Sequence, residues 1–259
     1  MTELTDEHRM IQQSARDFTR DVVRPAADRL DPVKGLVPDD ILRQMSELGY
    51  FGILIPEEYG GLGLGAFEYC LVAEELARGW MSVASLIARG NALIGSLKSM
   101  RGEQKAHYLP LMARGEFLGA FALSEPNPGS DVANISCRAQ KVGDHWEITG
   151  NKYWCTFADG ADFILVFART DPKVDPEKRH RGISAFMVEK PRGELPNGVS
   201  GNPIPKIGYH GWTTWELAFD GCKVAANKMI GEPGKAFYLA TAGPEAARAL
   251  TSARSIGLV

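Results

Sequence analysis

Residues 121–131 read FALSEPNPGSD. The apolar run Phe121–Leu123 has the composition of a strand, and it breaks at once into a stiff, polar turn. Pro126 and Pro128 fix two backbone angles, and Gly129 permits a positive φ or a close approach. Ser124 and Ser130 add hydroxyls, and Asp131 is expected to hold the turn by bonding its own backbone. The stretch also lies just past Gly115, where the hydrophobic period changes. Upstream the apolar spacing is three and four residues; downstream it is two.

The upstream part is predicted helical. Ile11, Ala15, Phe18 and Val22 recur at helical spacing behind the capping candidates Thr5 and Asp6. Pro25 is expected to end or bend that helix. A second helix is expected to open at Pro38-Asp39-Asp40 and run through Ile41, Met45 and Leu48 to Gly49. Further helices are predicted over 66–80, 82–99 and 102–114, with Gly115 as a stop signal.

Downstream, strands are predicted at 117–123, around Ile135–Ala139, at Trp146–Thr149 after a Gly143-Asp144 turn, and at 163–168, 182–189 and 215–219. The stretch 171–181, DPKVDPEKRHR, reads as an exposed charged loop. From Glu232 to the end the pattern turns helical again. Helices first and antiparallel strands second describe an α+β chain, not alternating βαβ units. No internal repeat or low-complexity tract is present.

Composition narrows the functional classes. The 259 residues are 44% hydrophobic and 24% charged, ordinary for a globular protein. The net charge is −3 without a basic block, which argues against a nucleic-acid footprint. The acidic start MTELTDEHRM is unlike a secretory signal, and Phe163–Ala168 is far too short to cross a bilayer. The four cysteines, at 70, 137, 155 and 222, have no metal-ligand or redox spacing, so reduced thiols in a cytoplasmic protein are expected.

Three motifs merit weighing. GGLGLGA at 60–66 matches G-x-G-x-x-A, but Pro56 breaks the segment before it and no strand-helix series follows. A structural turn is the expectation there. The 124–131 turn could aim several N–H groups at one place. Such donors would suit the pyrimidine edge of a flavin, where reduction puts negative charge. Trp154-Cys155-Thr156 offers a flat aromatic face, a hydroxyl and an N–H one strand further on. Each alone has a bland alternative: a surface turn, and a core tryptophan.

Together with their order, these motifs resemble the acyl-CoA dehydrogenase family of flavoproteins. The resemblance is carried by IPEEYGGLGLG (55–65), VAEELAR (72–78), ALSEPNPGSD (122–131), GNKYWCTFADGADFILVFART (150–170), KIGYHGWTTWELAFDGCKV (206–224) and IGEPGKAFY (230–238), with ARSIGLV at the end. It covers essentially the whole chain. It implies an N-terminal all-helical domain (1–116), a middle antiparallel β-barrel or sandwich domain (117–232), and the first helix of a C-terminal helical bundle (233–259). It implies FAD, with contacts mapping to Phe121, Leu123, Ser124, Gly129, Ser130, Trp154, Cys155 and Thr156. For the acyl-CoA substrate it implies Ser130, and Glu245 and Arg248 as the family's acid-x-x-arginine pair.

The implied chemistry is α,β-dehydrogenation of an acyl-CoA thioester, with electrons passed to an electron-transfer flavoprotein and a homo-oligomer expected at full length. Oxidases and monooxygenases share the scaffold, and a non-catalytic subunit or fragment is the alternative from another class. Two departures stand out. Tyr209-His210 occupies a place where many relatives carry an arginine. The chain also stops where the family continues into the rest of a helical bundle, so most of that bundle is expected to be lacking. No catalytic residue is assigned: before Arg248 stands Ala247, and a methyl group accepts no proton. The 259-residue chain is therefore expected to be inactive alone.

Overall fold

The structure is a computed structural model, and it describes residues 3–91, 99–242 and 244–259, without the side chains of 242 and 244–246. Helix α1 (Asp6–Phe18) starts on a capping box: the Thr5 side chain accepts from His8 N–H while the His8 ring accepts from Thr5 N–H. Pro25 does not end it. A π-turn over Thr19–Val23 leads into α2 (Arg24–Leu30), and the wider turn accommodates the proline near the start of α2. The chain leaves α2 through Lys34, at φ 58°. Helix α3 spans Asp39–Glu47 behind Pro38, and Gly49 turns the chain at φ 73°.

Helices α4 (Ala66–Gly79) and α5 (Met81–Gly90) are almost continuous, broken by the extended residue Trp80. The predicted 82–99 helix is seen in its first part; 92–98 lies outside the described residues. Helix α6 (Gly102–Ala113) ends before Gly115, at φ 67°. The helical pattern expected after Glu232 is described as α7 (Ala236–Ala242) and α8 (Pro244–Ile256), with residue 243 outside the described residues, and α8 packs along α4.

The strands are β1 (Gly119–Ala122), β2 (Arg138–Val142), β3 (His145–Thr156), β4 (Phe163–Arg169), β5 (Ile183–Glu189), β6 (Val199–Pro203), β7 (Thr214–Ala225) and β8 (Met229–Ile230). They form one hydrogen-bonded sheet in the order β6-β7-β3-β2-β4-β5-β8, with β1 added on β4. The sheet is not wholly antiparallel: β1 pairs β4 in parallel, and Arg138 of β2 bridges Arg169 of β4 in parallel. The β2–β3 hairpin lies between β1 and β4 in sequence, giving the long connection a parallel pair needs. β6 and β8 went unread in the sequence because VSGNP lacks apolar alternation and MI is two residues long.

The all-apolar run of β4 has a plain cause. Phe163, Leu165 and Phe167 face a core built with Tyr108, Leu109 and Met112 of α6. Ile164, Val166 and Ala168 face the other way, into a core shared with α1, α4 and α5. A strand covered on both faces needs no polar alternation. The helical layer is fastened to the sheet at Ser82: its hydroxyl accepts from Gly211 N–H (3.2 Å) and its carbonyl from Trp212 Nε1 (2.7 Å).

Candidate functional site

The 124–131 turn is built on a buried ion pair that the motif reading missed. Lys152, fully buried on β3, donates from Nζ to the Leu123 carbonyl (3.0 Å) and to Glu125 Oε1 (2.9 Å). Glu125 also accepts from Ser136 N–H and hydroxyl and from Cys137 N–H. Burial alone would raise the Glu125 pKa, but the Lys152 charge and these donors outweigh it and hold the carboxyl below its ordinary value. Inside the turn, Glu125 N–H donates to the Pro128 carbonyl (3.0 Å), and Tyr153 N–H donates to the Ser124 carbonyl (2.8 Å). The turn thus lies against β3. Asp131 does not bond its own backbone through its side chain; it pairs with Arg179 at 2.9 Å, because the charged 171–181 loop reaches it.

A simple alternation along β3 would put Trp154 on the same inward face as Ile148 and Lys152. A bulge between Lys152 and Cys155 reverses this. Trp154 sits at φ 60°, and its side chain emerges 57% exposed while Cys155 turns into the core. A tryptophan held in the left-handed region and presented to solvent is costly by about 1–3 kcal/mol, and such strain clusters at ligand sites. Thr156 is half-buried, its hydroxyl 3.1 Å from that of Thr214. Cys155 is fully buried, and burial pushes its thiol up to about 12. It therefore offers a ligand backbone groups only.

The remaining expected residues are placed as follows. Phe121, Leu123 and Ser124 are half-buried; Gly129 and Ser130 are exposed at the tip of the turn, and a Cβ on Gly129 would meet nothing. The turn and the Trp154–Thr156 segment are sheet neighbours, but they border different hollows. Pro126 lines one of 370 Å³ with Asn151–Tyr153. Trp154 lines a groove of 1040 Å³ with Arg24, Arg78, Trp80, Lys206 and Tyr209. The groove wall at 205–209 is organised by Lys206, whose Nζ donates to the carbonyls of Tyr209 and Trp212 (both 2.6 Å), with Tyr209 at φ 61°. Arg248 is exposed on α8, and the Glu245 side chain lies outside the described residues.

The glycine-rich stretch is a closed turn. The N–H groups of Gly60, Gly61, Leu62, Gly63 and Leu64 all donate to nearby carbonyls between Gly52 and Glu57. None is left to face a phosphate, which a dinucleotide loop requires. A Cβ on Gly61 would lie 2.1 Å from the Ile55 carbonyl oxygen, so packing explains that glycine.

Lys152 was legible in principle: it shares the parity of the inward-facing Ile148 in a half-buried strand. The exposure of Trp154 was not, because nothing in GNKYWCT announces the bulge.

Comparison with known proteins matches this geometry to one family. The chain fits the acyl-CoA dehydrogenase N-terminal domain over residues 5–116 and the acyl-CoA dehydrogenase middle domain over 120–222. It is 37% identical to mitochondrial isovaleryl-CoA dehydrogenase of Pongo abelii, over 99% of this chain and 60% of that protein. It is 37% identical to (2S)-methylsuccinyl-CoA dehydrogenase of Cereibacter sphaeroides, over 98% of this chain and 47% of that one. Among solved structures, it superposes on a glutaryl-coenzyme A dehydrogenase in complex with glutaryl-CoA (TM-score 0.88, 32% identity, 99% of this chain and 64% of that chain). It does so also on a glutaryl-CoA dehydrogenase of Mycobacterium smegmatis in complex with FADH2 (TM-score 0.85, 26%, 98% and 62%). A structure described as the electron transferring flavoprotein of Acidaminococcus fermentans aligns at TM-score 0.90, with 30% identity, 99% of this chain and 66% of that chain. The chain thus spans about 60% of the length of the isovaleryl-CoA dehydrogenase it matches. With two matched domains of one family in series and the helical-layer-on-sheet fold they describe, the chain belongs to the acyl-CoA dehydrogenase family.

Proposed function

We propose that this chain carries the flavin-binding part of an FAD-dependent acyl-CoA dehydrogenase. The observation that carries the reading is Trp154, a strained and solvent-facing tryptophan beside a turn locked by Glu125 and Lys152. FAD when bound supplies the two-electron oxidant that takes the β-hydrogen of an acyl thioester. Trp154 gives the ring system a flat apolar face. The Thr156 hydroxyl and the backbone of Phe121, Leu123, Ser124, Gly129, Ser130 and Cys155 supply fixed polar groups whose geometry is set before the ligand arrives. The Glu125–Lys152 pair acts at one remove, by holding the turn. Relatives of this chain bear acyl-CoA names, and one solved relative is a complex with FADH2, which supports both ligands.

In this reading Ser130, Glu245 and Arg248 serve the CoA side of the substrate, and an electron-transfer flavoprotein takes the electrons. No catalytic base is assigned within these 259 residues, since Ala247 stands before Arg248 on α8, and the chain alone does not turn over. The four cysteines are free, three of them buried, which suits the reducing cytoplasmic compartment. Among the described residues no helix is long and apolar enough to cross a membrane. Exposed apolar side chains at Tyr238, Ile256 and Leu258 suit packing against a further copy of the protein.

Titration of the purified protein with FAD, followed by the flavin spectrum and tryptophan fluorescence, tests the reading. Saturable binding that Trp154→Ala weakens about tenfold is the expected result, the order of a lost aromatic stacking contact. No binding, or retention unchanged in Trp154→Ala, overturns the site. Rapid oxygen consumption by the reduced protein would place it among the oxidases of this fold.

A further inference from the structure

Three polar groups on three different helices are buried without a hydrogen-bond partner among the described residues: the Tyr69 hydroxyl on α4, Arg89 Nε on α5 and Arg254 Nε on α8. Tyr69 is fully buried, and both arginines are half-buried. Among the described residues, neither arginine makes an ion pair with a carboxylate. That is unusual, because a desolvated guanidinium with unused N–H groups is expensive unless an anion is meant to meet it.

The three groups converge. α8 lies against α4, with Cys70 Sγ 3.9 Å from the Ala249 carbonyl and Gly257 so close that a Cβ would come within 2.2 Å of the Glu74 carbonyl. α5 packs against both helices. Burial makes the Tyr69 phenol harder to ionise, and the charges that oppose this are Arg254 and Arg89. The Arg89 guanidinium lies 5.6 Å from the centre of the Phe157 ring. Phe157 directly follows Trp154-Cys155-Thr156, so this cluster of donors lies beside the end of the proposed flavin segment. Arg254 stands about 9 Å along α8 from Arg248, which is placed on the CoA side.

We infer that Tyr69, Arg89 and Arg254 receive the far end of the acyl group and that this end is a carboxylate. The substrate class is then a short dicarboxylic acid held as a mono-thioester of CoA. The inference rests on the acyl-CoA reading and deepens it. A guanidinium fork meets a carboxylate through two parallel N–H bonds, and the Tyr69 hydroxyl supplies a third donor to the same anion. A plain alkyl end would bury all three donors unmet, so it is rejected for what it fails to satisfy. Two proteins similar to this chain are named for acyl groups of this class, methylsuccinyl and glutaryl.

The test is calorimetric binding of glutaryl-CoA and valeryl-CoA, five-carbon acyl groups that differ in the terminal carboxylate, to the full chain in excess FAD. Wild type is expected to prefer glutaryl-CoA by about tenfold or more, with Arg89→Gln abolishing the preference while valeryl-CoA affinity stays within about twofold. Arg89→Lys should recover part of it, a rescue that a purely structural arginine would not show. If valeryl-CoA binds wild type as tightly as glutaryl-CoA, the dicarboxylate inference falls and the acyl-CoA reading stands. If neither ester binds, the acyl-CoA reading fails and takes the inference with it. Should the variants not fold, the wild-type comparison of the two esters decides alone.

Discussion

Trp154 and Lys152 sit two residues apart and carry opposite tasks. Lys152 goes inward and ties the 124–131 turn to β3; Trp154 goes outward because a bulge lies between it and Cys155. The ion pair is costly to bury, and removing one partner leaves an uncompensated charge. Glu125→Gln should therefore cost about 3–5 kcal/mol at neutral pH, read from urea unfolding. The pH dependence follows from the sign of the shift. The folded Glu125 pKa lies below its ordinary 4.5, so the pair's stabilisation is full above 4.5 and is lost as pH falls through the folded value. The wild type should lose stability over that acid window, and Glu125→Gln should show a flatter acid limb. Equal acid slopes would mean that the pair does not hold the turn.

At the scale of the element, the glycine stretch 60–65 shows how one motif hides two opposite meanings. A dinucleotide loop leaves its N–H groups facing outward, whereas here they are consumed inside the turn between Gly52 and Leu64. Gly61→Val would drive a side chain into the Ile55 carbonyl and should destabilise by about 3 kcal/mol, as overpacking does. Thermal unfolding reads this directly. Binding of NAD lost in Gly61→Val would instead make the turn a ligand loop. The π-turn before Pro25 has the same lesson in reverse. A helix breaker in the sequence became a local widening, because the amphipathic face on either side stays buried at Ala15, Phe18, Val23 and Ala26.

Across the whole molecule, the helical layer and the sheet are joined by polar contacts, among them Gln104 and Tyr108 of α6 on Glu189, Asn227 and Met229, and Ser82 of α5 on Gly211 and Trp212. A Cβ on Gly211 would lie 2.4 Å from Ser82 Cβ. Gly211→Val should cost about 2 kcal/mol, or about 4–8 °C in Tm for a chain of this size. The groove that Trp154 shares with Arg24, Trp80 and Tyr209 should lose its shape with it, because α2, the α4–α5 junction and the 205–209 loop wall it together. A Tm unchanged in Gly211→Val would show that the two layers hold without this contact.

The sequence by itself determined the α+β order, most strands, the helix stops at Gly49 and Gly115, and the family, because these depend on period, turn chemistry and ordered local motifs. It also placed the turn and the Trp154–Thr156 segment as the regions of interest. Tertiary structure alone decided what those regions offer. The bulge that exposes Trp154 arises from pairing with β7, a partner about sixty residues away. The Glu125–Lys152 pair forms only when β3 closes on the turn. The convergence of Tyr69, Arg89 and Arg254 joins three helices that no local pattern relates. The direction of a side chain and the meeting of unpaired charges are set by long-range packing, and a one-dimensional period carries neither.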